Sequence, residues 1–189
     1  MKYAPLILNA LVAATVTLTS LILPATPVFA QTPTVQELLD DLAQADAEHA
    51  VRLERQILRR WSRSGSETID YLFGRGQAAL QAGQAEDAIE HFSAVIDHDP
   101  DFAEAWNGRA TAFFMINRLG QSMSDIEQVL IRNPAHFGAL AGLGMIMEQL
   151  RRPEDALRAY RASLAIHPHQ PSVLEAVARL ELANVGSSL

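Results

Sequence analysis

The chain has no cysteine among its 189 residues, and Lys2 is its only lysine. The first absence excludes disulfides, thiolate metal sites, a cysteine nucleophile and a lipid-bearing cysteine. The second leaves arginine as the strong base of everything after residue 2, so no later lysine can form a Schiff base or act as a general base. Aromatic residues make up only 6% of the chain, while Ala and Leu are abundant. Ala and Leu lose little on entering a helix, which favours helices over sheet. Positive charge is also scarce: 15 Lys and Arg against 22 Asp and Glu give a net charge of −7. Such a balance offers no broad attraction to nucleic acid, and none is expected as a partner. What is present is 49% hydrophobic residues with 20% charged ones, enough to bury a core. The length allows one domain and a small appendage.

Residues 1–30 have the pattern of a secretory signal. Lys2 precedes an apolar stretch from Leu6 to Leu23, Pro24 and Pro27 interrupt it, and "VFA" ends at Ala30. Small or β-branched side chains at Val28 and Ala30 suit a signal peptidase. Cleavage after Ala30 and a periplasmic location are therefore expected, with no stable membrane span afterwards. The apolar run is also near the length that crosses a bilayer, so retention as an anchor stays open.

Pro100, Pro134 and Pro168 follow one another at steps of 34 residues. Other columns keep step when each unit is counted from 31 residues before its proline. Position 4 is Leu72, Trp106, Leu140; position 8 is Gly76, Ala110, Gly144; position 20 is Ala88, Ser122, Ala156; position 24 is Phe92, Ile126, Tyr160. Position 27 is Val95, Val129, Ser163. Small residues at 8 and 20 suit a close approach of two helices, and the larger ones at 4 and 24 fill the space between them. The proline ends the second helix, since it cannot continue the backbone ladder. The turn between the two helices falls near Gly83, Asn117 and Arg151, where Gly and Asn accept a left-handed backbone. Overpacking either close contact, by Gly76→Leu or Ala110→Leu, is expected to unfold the array.

With these columns in place, "GRGQAALQAGQAEDAIEHFSAVIDHDP" and "GLGMIMEQLRRPEDALRAYRASLAIHP" resemble tetratricopeptide repeats, whose period is 34 residues. The middle unit departs from the pattern at Ser122. The resemblance implies an all-α, right-handed helical solenoid of antiparallel helix pairs, with repeats at about 69–102, 103–136 and 137–170. Residues 171–183 would cap it, with Leu174, Val177 and Ala178 facing the core, in a domain covering 67–189. Residues 31–66 read as a degenerate, capping helix pair with a linker, "SRSGS". Thr34 and Glu37 form a possible capping box, and Leu38, Leu42, Leu58 and Trp61 fall at positions 4, 8, 24 and 27 of the same frame. One long helix and two short ones both fit that segment.

The candidate chemistry is thin. His98, His136, His167 and His169 fall in or beside the turns between units, where side chains are expected to face solvent, and His91 is expected to face out from a helix. His167 and His169 make a His-x-His pair, but zinc needs further ligands, so no metal and no cofactor are expected. Glu86–Asp87 and Glu154–Asp155 open second helices, where acids complement the helix dipole, so they need no catalytic role. Asp40–Asp41 is a third such pair, and Ser62, Ser64 and Ser66 have no nearby histidine. No enzyme is expected. "RLERQILRRWSR" at 52–63 reads either as the basic half of a dipolar helix or as a basic patch for an acidic or anionic partner.

The resemblance further implies a concave groove lined by the first helix of each pair at positions 5, 9 and 12. These are Phe73, Gln77 and Leu80, then Asn107, Thr111 and Phe114, then Ala141, Met145 and Glu148. The family's clamp for a C-terminal carboxylate uses Lys and Arg there, and this chain has none at those places. A peptide held by apolar anchors and main-chain hydrogen bonds is the expected ligand. The expected function is a non-catalytic exported adaptor for a peptide segment or an envelope-complex subunit. A self-associating structural protein, pairing weakly through its ends or the Trp106 side, is the alternative.

Overall fold

A computed structural model describes residues 32–186, with side chains to residue 183. Nine α-helices and no strands lie among the described residues: α1 (Val35–Gln44), α2 (Ala47–Trp61), α3 (Glu67–Gln81), α4 (Ala85–His98), α5 (Ala103–Met115), α6 (Leu119–Arg132), α7 (Phe137–Gln149), α8 (Pro153–Ile166) and α9 (Pro171–Gly186). None of them is long and apolar enough to cross a membrane. The leader pattern of residues 1–30 lies outside the described residues, as does the far end of the chain.

Helix pairs α3–α4, α5–α6 and α7–α8 carry the 34-residue register and stack in order. Each pair turns on one left-handed residue: Gly83 (φ 74°), Asn117 (φ 59°) and Arg151 (φ 58°). These are equivalent positions, and Arg151 adopts the same backbone without the freedom of glycine. The second helices stop at His98, Arg132 and Ile166, two residues before each proline. Ser122, the departure from the small-residue column, is satisfied: its Oγ donates to the Ala110 carbonyl at 2.7 Å.

Three columns that face the preceding pair escaped the sequence reading, namely positions 3, 6 and 10. Ala105, Gly108 and Ala112 are buried against α3–α4, and Ala139 and Ile146 against α5–α6. In α9 the same places are Val173, Ala176 and Leu180, all buried. This corrects the expected core face of α9. Leu174 is 46% exposed and Ala178 is also exposed, because positions 4 and 8 pack on a second helix of their own pair, and none follows α9 among the described residues. The reverse holds at the other end. Tyr71 is 64% exposed, and Gly74 and Ala78 are open, because among the described residues no pair stacks in front of α3.

The helices before α3 do not extend the array. Residues 34–62 form two helices, separated where Ala45 and Asp46 are extended and the Asp46 carboxylate caps α2 by accepting from His49 N at 2.8 Å. Thr34 and Glu37 complete the capping box on α1. Leu38, Leu39, Leu42, Ala50 and Ile57 then pack with Phe137, Ala135 and Ile166, which belong to or adjoin the α6–α7 and α8–α9 turns. Leu58, expected at a buried column, is 37% exposed, since α2 turns Leu53 and Ile57 inward instead. The hairpin is thus a side element clasped on two turns, not a degenerate repeat in front of the first.

Candidate functional site

Two joints separate the three stacked pairs, and one residue column controls both. At the first joint Phe92 lies between Gly76 of α3 and Gly108 of α5. A Cβ built on Gly76 would sit 2.6 Å from the Phe92 ring, and one on Gly108 would sit 2.5 Å away. Neither position has room for a side chain, so glycine is what allows the ring to enter. Phe73 and Phe102 close around it, with ring centroids 5.0 Å apart and Phe73 5.6 Å from Phe92.

At the second joint the same column holds Ile126, between Ala110 of α5 and Gly142 of α7. A Cβ on Gly142 would meet the Ile126 Cδ1 at 3.6 Å, an ordinary contact. The smaller side chain leaves space on both sides of itself. On the face made by the first helices it floors a cleft of about 230 Å³ walled by Asn107, Thr111, Phe114, Gly138, Ala141 and Met145. On the opposite face it lines an apolar groove with Met123, Leu130 and Leu143.

The expected groove residues divide accordingly. Asn107, Thr111, Phe114, Ala141 and Met145 come together around the cleft, with Met145 47% exposed and Thr111 open to solvent. Phe73 does not line a groove: it is 4% exposed, because the large ring at position 24 draws it into the core of the first joint. Gln77 is exposed and Leu80 half-buried on α3, away from the cleft. Glu148 is not free for a ligand. It accepts from the Tyr160 hydroxyl at 2.8 Å and pairs with Arg179 of α9 at 2.7 Å. Burial and this carboxylate push the Tyr160 phenol well above its usual range.

Of the columns named from the sequence, Leu72 and Leu140 are half-buried, and Gly76, Ala88, Ala110, Gly144, Ala156 and Tyr160 are buried. Pro100 and Pro134 are exposed and Pro168 half-buried. Trp106 is not a free pairing surface. Its Nε1 donates to the Pro100 carbonyl at 2.9 Å, and the Arg109 and Arg132 guanidinium groups each lie 4.9 Å from its ring. Arg109 also forms a two-pronged pair with buried Asp125, at 2.8 and 2.9 Å, and reaches Ser93. No sequence signal marked this pair, since its members lie 16 residues apart on facing helices. In the arginine run, Arg52 pairs with Glu48 and Arg60 holds the Pro33 carbonyl, while Arg55, Arg59 and Arg63 are exposed.

The turn histidines do not all face solvent. His98 is exposed and His91 half-buried, but His136 is 2% and His167 1% exposed, and His169 is half-buried. The α1–α2 hairpin covers them, which no local spacing announces. Trp61 stacks on His136 with ring centroids 4.8 Å apart.

The stacked pairs with their shared columns match a family profile described as tetratricopeptide repeat, over residues 73–125 and 121–171. The chain belongs to the tetratricopeptide repeat family. This tetratricopeptide repeat protein is 34% identical over 134 residues to a TPR repeat-containing protein of Rhizobium etli, covering 71% of this chain and 66% of that one. It is 26% identical over 135 residues to RNA polymerase II-associated protein 3 of Rattus norvegicus, which spans 71% of this chain but only 20% of the rat protein. Among solved structures, the first TPR of Spaghetti (RPAP3) bound to the HSP90 peptide SRMEEVD superposes with a TM-score of 0.61 at 21% identity, covering 64% of this chain and 95% of that one. The Yersinia enterocolitica type III secretion chaperone SycD, in complex with a peptide of the translocator YopD, gives 0.59 at 13%, covering 63% and 96%. At these identities the likeness is one of fold.

Proposed function

We propose that this chain is a non-catalytic adaptor that holds a peptide segment against its first helices, with one apolar side chain of the peptide seated in the cleft between α5 and α7. One observation carries the reading: at the second joint Ile126 stands where Phe92 fills the first, and the space it leaves opens beside Asn107, Thr111 and Met145. The amide and hydroxyl can bond a peptide backbone while the apolar floor takes an anchor. The named relatives bound to HSP90 and translocator peptides support peptide binding as the mode. The peptide itself differs in kind from SRMEEVD. The cleft walls carry no cation to hold an acidic carboxyl end, so an internal segment with an aliphatic or aromatic anchor fits better. We count three repeats, 69–102, 103–136 and 137–170, with α1–α2 as a separate clasp. Export to the periplasm, with cleavage after Ala30, rests on the leader pattern of residues 1–30.

The test is a photo-crosslinking residue at Phe114 in the cell envelope of the producing bacterium. A captured partner that disappears in an Ile126→Phe background supports the adaptor. Capture of nothing but the protein itself favours the second reading, self-association, which the open faces at Tyr71 on α3 and at Leu174 and Leu182 on α9 also motivate. Light scattering over a hundredfold range of protein concentration separates the two: a rising mass supports self-association, a constant monomer mass excludes it.

A further inference from the structure

The α1–α2 hairpin is held on the array by apolar contacts and by three histidines, two in the α8–α9 turn and one in the α6–α7 turn. His169 Nε2 meets the Ala45 carbonyl at 2.8 Å, at the bend between α1 and α2. His136 lies under Trp61, its Nδ1 accepts from the Ala139 backbone N–H at 3.0 Å, and its Nε2 lies 3.0 Å from the Glu104 carboxylate. His167 is the most deeply placed. Its Nε2 is 3.6 Å from Glu54 on α2, its ring meets Phe137 edge-on at 5.1 Å, and its Nδ1 is buried with no hydrogen-bond partner among the described residues.

We propose that this hairpin is an acid-released clasp, which detaches from the two turns when His167 takes up a proton while the helix array stays folded. A second proton on His167 would place an N–H at Nδ1, where no acceptor waits, and would desolvate a charge against the Phe137 ring. The titratable groups that face it are Glu54 from α2, which favours the charge, and His169 from its own turn, which opposes it. Burial outweighs the rest and holds the His167 imidazole below its ordinary range. His136 sits in the same contact, with the Glu104 carboxylate at its Nε2, the Ala139 N–H on its Nδ1 and the Trp61 ring on its face.

The sign follows from linkage. The docked state needs neutral His167, and the released state ionises at the ordinary value of about 6.5. Docking is therefore fully favoured above that pH and weakens below it, by at most about tenfold per pH unit for one linked proton, until the docked imidazole itself ionises. Release would uncover Phe137 and Ile166 and leave the hairpin tethered through residues 62–66.

Hydrogen exchange of the full chain, read by mass spectrometry and corrected for the intrinsic pH dependence, tests this. Protection across 35–61 should fall several-fold, up to about tenfold, between pH 6 and pH 5, with protection in 67–166 unchanged. His167→Gln should keep the hairpin protected at pH 5. Glu54→Gln, which removes the carboxylate that tolerates the charge, should release it at a higher pH than the parent. Equal loss in hairpin and array, no loss in either, or a His167→Gln chain that responds like the parent overturns the clasp. Should His167→Gln undock the hairpin at pH 7.5 as well, Glu54→Gln decides: release at the same or a lower pH than the parent overturns it.

Discussion

The first and second joints of the array are built from one pattern and differ by one side chain. At the first, Phe92 fills the space between Gly76 and Gly108 so fully that neither glycine can carry a Cβ. At the second, Ile126 faces Ala110 and Gly142 with ordinary contacts and leaves a cleft on one face and an apolar groove on the other. The first joint spends its largest residue on stability; the second keeps space. A repeat array whose stability is a sum of neighbouring contacts can loosen one joint and still stand, provided another is tight. The place where an array is weakest by packing is then also the place where it can take a ligand.

The contrast can be broken most severely at Phe92. Phe92→Ala should cost about 3–5 kcal/mol, since the side chain is fully buried and its glycine neighbours cannot close the void, and chemical denaturation measures it. A loss no larger than that of Ile126→Ala would mean the joints are equally tight. Gly76→Leu should come next, destabilising the array by overpacking the Phe92 ring, with Ala110→Leu clearly milder because part of the new side chain can enter the cleft. Equal melting temperatures for the two leucine variants would remove the distinction. A gentler pair lies at position 6. Gly108→Ala should destabilise by about 1–3 kcal/mol through its clash with Phe92. Gly142→Ala should stabilise by up to about 1 kcal/mol, because alanine favours the helix and the 3.6 Å contact accepts it. Ile126→Phe should shift stability by no more than about 1.5 kcal/mol either way, yet it should abolish peptide capture by filling the cleft. A variant that still captures a partner at Phe114 would place the binding site elsewhere.

The periodic columns were legible in the sequence because each unit solves the same packing problem with similar residues. Small side chains at Gly76, Ala88 and Ala110 and the turn residues Gly83 and Asn117 could be read by spacing alone. Positions 3, 6 and 10 were harder, since position 3 runs from Tyr71 through Ala105 and Ala139 to Val173 with no size common to all four, and its members are joined only by what lies in front of them. The candidate groove was legible as a list and not as a surface. Phe73 and Met145 stand at neighbouring columns of one frame, but one is buried by a partner ring and the other is nearly half exposed.

The sequence by itself determined the helix pairs, their register, the cap at Thr34 and the absence of thiol or later lysine chemistry. These are local matters, set by side-chain size, backbone freedom and hydrogen bonds within a few residues. Only the tertiary structure decided where the α1–α2 hairpin docks, and so which histidines are buried. The amphipathic face of Leu38, Leu42 and Ile57 would suit any apolar surface of its size. Which surface it met, the turns at His136 and His167 or the open face of α3, depends on shape and long-range contacts that no spacing along the chain records.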